Sequence, residues 1–257
     1  FAALDADVFT EIKKAGEAAT AAEIARRTGR DGRGMRLLLD ACVALGLLTK
    51  DADNVYLNTS ATGQALVIGG HHDLTRAIRY NRDVYPAWGK LGELVKTGKP
   101  VEKPSIHLGD NPARTKAFAA AMFARAVGIG RSVVPMLGFP HTCEKVLDLA
   151  GGPAAYAVLI AKHYHDVKKI VTVDLPAISA EAADLVKLER LADRVECRAG
   201  DYHTDDYEKG AYDAVTIFGV LHQESPADIR KILGKAAAAL KEGGRIYVLD
   251  MMTDATH

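Results

Sequence analysis

Apolar and polar positions follow two different periods along the chain. Up to about residue 140, apolar residues recur at helical spacing, as in "TAAEIARRTG" and "DGRGMRLLLDACVALGLLTK", and the short strand "NVYLNT" follows. From about Glu144 onward, apolar runs of strand length alternate with helical patterns. This change of pattern predicts two domains, a helix-rich one at residues 1–140 and a second one at residues 141–257.

The second domain shows a regular alternation of strands and helices. Strands are predicted at 145–150, 169–175, 195–201, 212–222 and 245–252, with helices at 153–164, 177–191 and 226–240. Such alternation is typical of an α/β fold with a doubly wound parallel sheet, in which ligands bind outside the carboxyl ends of the strands. Polar residues close or follow the apolar runs at these ends: Asp148, Asp174, Asp201, His222 and Asp250. We therefore expect the functional site along this edge of the sheet.

The turn after the first of these strands, in "VLDLAGGPAAYA", lacks the three glycines with which a dinucleotide fingerprint admits a pyrophosphate. A cofactor without phosphates, such as S-adenosylmethionine, does not need that close approach. Asp148 and the segment 150–152 would lie near its ammonium and carboxylate groups. Asp174 would accept both ribose hydroxyls, Asp201 would accept the adenine amino group, and Tyr202 would lie against the ring. The ribose carboxylate fits NAD equally well.

Composition narrows the classes of partner. The 33 basic residues equal the 33 acidic residues in number, which argues against a nucleic-acid partner. The three cysteines lie far apart without a CxxC spacing, so we expect a reducing cytoplasmic environment and no metal. No run approaches the roughly 18 apolar residues of a membrane span, and we expect no membrane partner. The chain starts at Phe1 and stops just after a predicted strand, so we expect a fragment of a longer protein.

Six segments together carry a resemblance to a known family: "LLLDACVALGLL", "VLDLAGGPAAYA", "VTVDLP", "AGDYH", "FGVLHQESPADIRKIL" and "GGRIYVLDMM". The chain resembles the S-adenosylmethionine-dependent O-methyltransferases of the caffeic-acid and hydroxyneurosporene type over nearly its whole length. The resemblance implies a winged-helix-like dimerisation domain followed by a Rossmann-like class I methyltransferase domain. It also implies a homodimer that transfers a methyl group to a hydroxyl of a small aromatic or conjugated molecule.

The resemblance also assigns roles to single residues. It places a general base at His222 and the acidic residue that holds it at Asp250. It places the cofactor contacts at Ala150, Gly151, Asp174, Leu175, Asp201 and Tyr202. Gly152, in the same turn as Ala150 and Gly151, is also a candidate for cofactor binding. Phe218 stands where plant relatives carry a lysine near the cofactor. Phe118 and Met122, at helical spacing, are candidates for a substrate wall, although plain core packing explains them as well.

Two departures from the family pattern bear on these roles. Ala150 and Ala154 stand where relatives usually carry glycine, and alanine is tolerable there only where φ is negative. The segment "HQES" replaces "HDW", so an amide instead of a carboxylate follows His222. The histidine could then be a helix cap or a core residue, Asp250 a solvated strand end, and Asp174 a helix N-cap.

Other functions stay open at the sequence level. The runner-up is carbon methylation of a related ring system, followed by a relative that only binds the cofactor or a DNA-binding regulator.

Five arginines crowd the helices of the first domain: Arg26, Arg27, Arg30, Arg33 and Arg36. The helix after them is apolar, which favours a protein partner over a phosphate-lined groove. We therefore expect Leu37 to Leu48, together with Val8 and Ile12, to be partly buried between two subunits. The pairs His71 with His72 and His163 with His165 lack further ligands for a metal.

Overall fold

The computed structural model describes residues 1–70 and 72–253, which form two compact units. The first unit, Phe1–Val101, contains seven α-helices and one two-stranded antiparallel hairpin among its described residues. Its elements are α1 (Ala2–Asp5), α2 (Val8–Ala15), α3 (Ala21–Thr28), α4 (Gly32–Ala44), β1 (Leu48–Lys50), β2 (Tyr56–Asn58), α5 (Ser60–Ala65), α6 (Thr75–Trp88) and α7 (Leu91–Thr97). The winged-helix character of the first unit stays a prediction.

The helices α3 and α4 begin at side-chain caps and bury residues in the core of the first unit. The Thr20 hydroxyl accepts the Glu23 N–H at the start of α3, and the Asp31 carboxylate accepts the Gly34 N–H at the start of α4. Val8 and Ile12 are buried in the unit's own core, so the prediction that they lie between two subunits was wrong. The apolar face of α2 finds its partners within the same chain.

Large apolar side chains nevertheless remain on the surface of the first unit. Leu37 and Leu45 of the predicted interface segment are 49% and 74% exposed, and Leu57 on the hairpin is 45% exposed. The arginines nearby are partly paired with acidic groups. Arg26 and Arg27 both contact Glu23. These salt bridges reduce the positive charge available to a polyanion.

The second unit begins at Glu102 and contains a five-stranded sheet in the order β5-β4-β3-β6-β7, in which every neighbouring pair is parallel. Its elements are α8 (Pro112–Val133), β3 (Lys145–Leu149), α9 (Ala155–His163), β4 (Lys169–Asp174), α10 (Pro176–Leu188), β5 (Val195–Ala199), β6 (Tyr212–Phe218), α11 (Pro226–Ala239) and β7 (Leu240–Leu249). The predicted α/β fold with a parallel sheet is confirmed. The strand order reverses between β3 and β6, which is where open α/β sheets bind ligands.

The two units divide between Val101 and Glu102, upstream of the boundary predicted at residue 140. The reason is that α8 packs against α9 and α10 of the sheet unit. Gly130 allows this close approach, because a Cβ there would lie 2.5 Å from Cδ1 of Leu159.

The segment Pro112–Met136 contains a stretch with a mean hydropathy of 1.4, which is long and apolar enough to span a membrane by length and composition alone. The sequence pattern did not predict this property.

Two apolar clusters cover the faces of the sheet. One cluster lies under α9 and α10 and contains Val146, Ile160 and Ile170. The other lies under α11 and contains Leu147, Val215 and Ile232. Strands buried on both faces are apolar nearly throughout, as a parallel sheet requires. Polar side chains inside these strands are therefore expected to have a specific role.

Candidate active site

The turn that follows β3 holds two alanines in an unusual backbone conformation. Ala150 has a φ of 51° and Ala154 has a φ of 62°, so neither has the negative φ at which alanine is readily tolerated. The left-handed region costs an alanine about 1–2 kcal/mol. Ala154 is fully buried in the cluster under α9, so packing of its methyl group offsets part of that cost.

Gly151 is the one position of this turn where a side chain cannot fit. A Cβ there would lie 2.0 Å from Oγ1 of Thr172 and 2.3 Å from Oδ2 of Asp148. The turn therefore rests directly on the polar side chains of β3 and β4. Gly152, with a φ of 55°, has open space where its Cβ would be, so the outer side of the turn is accessible to a ligand.

Asp148 lies beneath this turn, inside the sheet. Its side chain is buried, and its two carboxylate oxygens accept the hydroxyls of Thr216 at 2.6 Å and Thr172 at 3.1 Å. The sequence predicts that this carboxylate contacts the cofactor ammonium, whereas the structure turns both of its oxygens towards threonine hydroxyls. Asp148 is therefore placed to support the turn from below.

Burial has a measurable consequence for Asp148. It raises the pKa of this carboxyl to about 6, the charge of Asp174 adds to the rise, and the two threonine hydroxyls oppose it. Because the pKa in the folded chain exceeds the ordinary value of 3.8, folding favours the protonated form. The stability that this group contributes is therefore full below about pH 3.8 and is lost as the pH rises through about 6.

Asp148→Asn should remove this pH dependence, because the amide stays neutral and can still bond to both threonine hydroxyls. The free energy of unfolding of the variant, relative to the parent chain, should increase by about 2 kcal/mol between about pH 4.5 and about pH 8. Urea denaturation at the two pH values measures this difference. If the difference in unfolding free energy between variant and parent is the same at both pH values, the raised pKa of Asp148 is contradicted.

Three backbone N–H groups of the turn are already engaged within the chain. The Gly151 N–H donates to the carbonyl of Val173, and the Ala154 N–H donates to the carbonyl of Gly151. The Gly152 N–H donates to the carboxylate of Asp174 at 2.8 Å, and Pro153 has no N–H. A pyrophosphate cradle needs free N–H groups at this place. The engaged donors of the turn are compatible with a cofactor without phosphates, as the sequence predicts.

Asp174 closes β4 beside the turn. Its carboxylate accepts the N–H groups of Gly152 and Leu175, both at 2.8 Å. The first helical residue of α10 is Pro176 and its N-cap is Leu175, so Asp174 is not the N-cap of this helix. Burial raises the pKa of Asp174, although the two N–H groups oppose the rise. Each carboxylate oxygen keeps a lone pair that can accept a ribose hydroxyl.

The loop after β5 carries the two residues that the sequence assigns to the adenine. Asp201 accepts the His203 N–H at 2.8 Å on one carboxylate oxygen. The Tyr202 hydroxyl donates to Glu224 at 2.7 Å, and its ring lies 4.4 Å from the ring of His203. Both predicted side chains are half-buried and stand at the carboxyl end of the sheet.

His222 and Asp250 form a bonded pair at the ends of β6 and β7. His222 lies in a single 3₁₀ turn, Leu221–Gln223, and its Nδ1 is 2.8 Å from Oδ1 of Asp250. Asp250 is held in place by the N–H groups of Leu221 and Met251. Its side chain is 3% exposed, whereas that of His222 is 36% exposed. The histidine is therefore accessible and oriented by a buried carboxylate, which is unlike a core residue or a helix cap.

This pairing sets the chemistry of both groups. Burial opposes ionisation of Asp250, but hydrogen bonds from Met251, His222 and Leu221 together hold the pKa of this carboxyl below its usual range. A charged Asp250 favours the His222 tautomer that carries its proton on Nδ1. The other ring nitrogen, Nε2, is then free of a proton and can accept one.

The remaining predicted residues lie within the same unit. Phe218 ends β6, is 8% exposed and packs its ring 4.9 Å from that of Tyr156. Phe118 and Met122 are half-buried on α8, where the ring of Phe118 lies 6.1 Å from that of His107. Their assignment to the substrate stays a prediction.

Four residues of this region were missed at the sequence level. Thr172 and Thr216 interrupt apolar strands, in "IVTVD" and "AVTIF", and such polar positions inside a buried strand are a usable signal. Glu224 and Lys235 gave no comparable signal, because their partners are far away in the sequence. Among residues 1–70 and 72–253, no group of three His, Cys, Asp or Glu side chains could hold a metal ion, and His71 lies outside the described residues.

Comparison with known families identifies both parts of the chain. Residues 102–257 match the model of an O-methyltransferase domain, and residues 1–67 match that of an O-methyltransferase dimerisation domain. The first match spans more than half of the chain. The predicted resemblance and the predicted S-adenosylmethionine cofactor are thereby confirmed.

Individual relatives agree with the family. The chain is 29% identical over 262 residues to 3-hydroxy-5-methyl-1-naphthoate 3-O-methyltransferase from Streptomyces sahachiroi, covering 98% of this chain and 73% of that protein. It is 28% identical over 261 residues to the tetracenomycin polyketide synthesis 8-O-methyl transferase TcmO of Streptomyces glaucescens, covering 98% and 74%. An O-methyltransferase family protein from Burkholderia thailandensis has a TM-score of 0.82 at 25% identity, covering 99% of this chain and 76% of that one. The chain belongs to the O-methyltransferase family and is an S-adenosylmethionine-dependent enzyme.

Proposed function

We propose that the methyl acceptor is a hydroxyl on a small aromatic molecule and that His222 is the general base. The observation that carries this proposal is the 2.8 Å bond between His222 Nδ1 and Asp250 Oδ1. It leaves Nε2 of an accessible imidazole as the proton acceptor. Removal of the hydroxyl proton converts the acceptor oxygen into a stronger nucleophile, and Asp250 stabilises the imidazolium that results.

The cofactor roles follow from the positions around the turn. S-adenosylmethionine, when bound, supplies a methyl group activated by its sulfonium. Asp174 would accept the ribose hydroxyls, Asp201 would accept the adenine amino group, and Tyr202 would pack against the adenine ring. The wall of the cofactor site on the side of the turn would be completed by Ala150, Gly151, Gly152, Leu175 and Phe218. Asp148 would fix the height of that turn through Thr172 and Thr216.

The acceptor class is supported by the relatives. Two relatives similar over nearly all of this chain are named for a hydroxylated naphthoate and for a polyketide. An aromatic hydroxyl also suits the proposed base, because a phenol loses its proton far more readily than an aliphatic alcohol does. Phe118 and Met122 would offer apolar surface to such a ring.

A test with aromatic acids distinguishes this proposal from its alternatives. The chain should transfer the methyl group of S-adenosylmethionine to a hydroxynaphthoate or hydroxybenzoate, and NMR of the product should show a new O–CH₃ group. The same acids with the hydroxyl already methylated are the matched control and should not react. A relative is named L-tyrosine C(3)-methyltransferase, so a new C–CH₃ group in the product would support the alternative, carbon methylation.

The assembly is proposed to be a homodimer formed through the first unit. Residues 1–67 match a dimerisation domain, and Leu37, Leu45 and Leu57 expose apolar side chains there. Exposed apolar side chains on a domain that matches a dimerisation domain support an interface between subunits there. Light scattering at micromolar concentration tests the proposal, and a monomeric mass would contradict it.

A further inference from the structure

The loop formed by residues 201–206, here called the adenine loop, has no helix or strand of its own. Within it, the N–H groups of Thr204 and Asp205 donate to the carbonyl of Asp201. The carboxylate of Asp205 accepts the Asp201 N–H at 3.0 Å. These local bonds leave the carbonyls on the other side of the loop to find partners elsewhere in the structure.

Lys235, on α11, supplies these partners. Its ammonium donates to the carbonyls of His203 at 2.9 Å and Asp205 at 2.8 Å, and lies 3.4 Å from that of Tyr202. The side chain is half-buried, and hydrogen bonds from a charged donor are stronger than those from a neutral one. One lysine therefore holds the carbonyls of three loop residues against the helix.

Glu224 connects the same loop to the segment that carries the proposed base. It follows His222 by two residues, and its side chain is 9% exposed. It accepts the Tyr202 hydroxyl at 2.7 Å and lies 3.5 Å from Nε2 of His203. Burial and the Glu224 charge both raise the pKa of the Tyr202 phenol, so the phenol stays protonated and remains a donor.

We propose that Lys235 and Glu224 are positioning residues, which hold the adenine loop in the conformation that receives the cofactor. The inference rests on the proposed function, because it assumes that Asp201 and Tyr202 contact the adenine. An irregular loop that is held in place before binding has little conformational freedom to lose when the cofactor binds. Without its anchors, the loop would be free to move before binding. Ordering it when the cofactor binds would then lower the cofactor affinity.

The experiment compares Lys235→Met with Lys231→Met, which lies one turn earlier on α11 and bonds to Asp228 at an exposed position. Lys235→Met should raise the dissociation constant of S-adenosylhomocysteine and the KM for S-adenosylmethionine by about 5- to 50-fold. The value of kcat at saturating cofactor and the KM for the acceptor should change by less than about threefold. Lys231→Met should leave all of these constants unchanged.

Glu224→Ala and Glu224→Gln test the second anchor and do not depend on the folding of the lysine variant. Glu224→Ala should weaken binding of S-adenosylhomocysteine in the same way. Glu224→Gln keeps an acceptor for the Tyr202 hydroxyl and should restore most of the lost affinity. A purely structural role would lower the melting temperature of both variants without this difference in affinity.

Unchanged cofactor affinity in a folded Lys235→Met variant would overturn the role of Lys235, even if its melting temperature fell. Equal affinities of Glu224→Ala and the parent chain would overturn that of Glu224. Asp174→Ala separates these outcomes from failure of the proposed function. If Asp174→Ala also binds S-adenosylhomocysteine as the parent does, the cofactor site itself is misplaced. If Asp174→Ala alone loses affinity, the site stands and the anchoring role fails.

Discussion

Replacing His222 by alanine should slow methyl transfer by about 10²- to 10⁴-fold, which is the usual contribution of general acid–base catalysis. The imidazole is accessible, and Asp250 orients it, so it is the group placed to take the acceptor proton. Affinity for S-adenosylhomocysteine should barely change, because this ring is not among the proposed cofactor contacts. Initial rates at saturating substrates measure the effect, and circular dichroism verifies that the variant is folded.

Two further variants make the result specific to the base. Asp250→Asn should cost less activity than His222→Ala, because it removes the orienting charge and leaves the base in place. His141→Ala is the control, since His141 is exposed and pairs with Asp166 at the opposite end of β3. Turnover close to that of the parent in folded His222→Ala would exclude the base and leave proximity, or carbon as the acceptor, as the explanation.

Replacing Asp174 by alanine should weaken binding of S-adenosylhomocysteine by about 1.5–3 kcal/mol, the range for losing hydrogen bonds to a charged acceptor. The variant loses the proposed acceptor of the ribose hydroxyls. It also leaves the N–H groups of Gly152 and Leu175 without their carboxylate. Isothermal titration calorimetry measures the loss directly.

Asp184→Ala on α10 is the matched control, because Asp184 is an exposed carboxylate that lies near Lys187. Its affinity for S-adenosylhomocysteine should equal that of the parent chain. Unchanged affinity in Asp174→Ala would remove this carboxylate from the site. Tighter binding of NAD than of S-adenosylhomocysteine by the parent would contradict the phosphate-free turn.

The sheet and the polar ends of its strands could be predicted from the sequence. Strands buried on both faces are apolar nearly throughout, so Asp174, His222 and Asp250 stand out where the apolar runs end. Because the strands are parallel, their carboxyl ends meet at one edge. This geometry brings residues far apart in the sequence into one site, and the bond between His222 and Asp250 is the most direct result.

Other features depend on tertiary contacts that periodicity does not reveal. From the sequence, the apolar face of α2 could pack against a partner or within its own unit. In the structure, Val8 and Ile12 are buried in the core of the first unit. The positive φ of Ala150 and Ala154 has no counterpart in residue type, because alanine usually avoids it. Lys235 meets its carbonyl partners across 30 or more positions, and a lysine on a helix is most often solvated.

The engaged N–H groups of the turn bear on how the enzyme tells its cofactor from abundant metabolites. ATP and NAD carry the same adenosine that Asp174 and Asp201 would recognise, so the adenosine half cannot discriminate among the three. At the turn, however, Gly151, Gly152 and Ala154 already donate within the chain. A phosphate placed against these three N–H groups would give up water molecules without gaining those donors in return, which is costly for a charged group. Part of the selectivity against nucleotides would thus lie in the three turn donors that are already engaged.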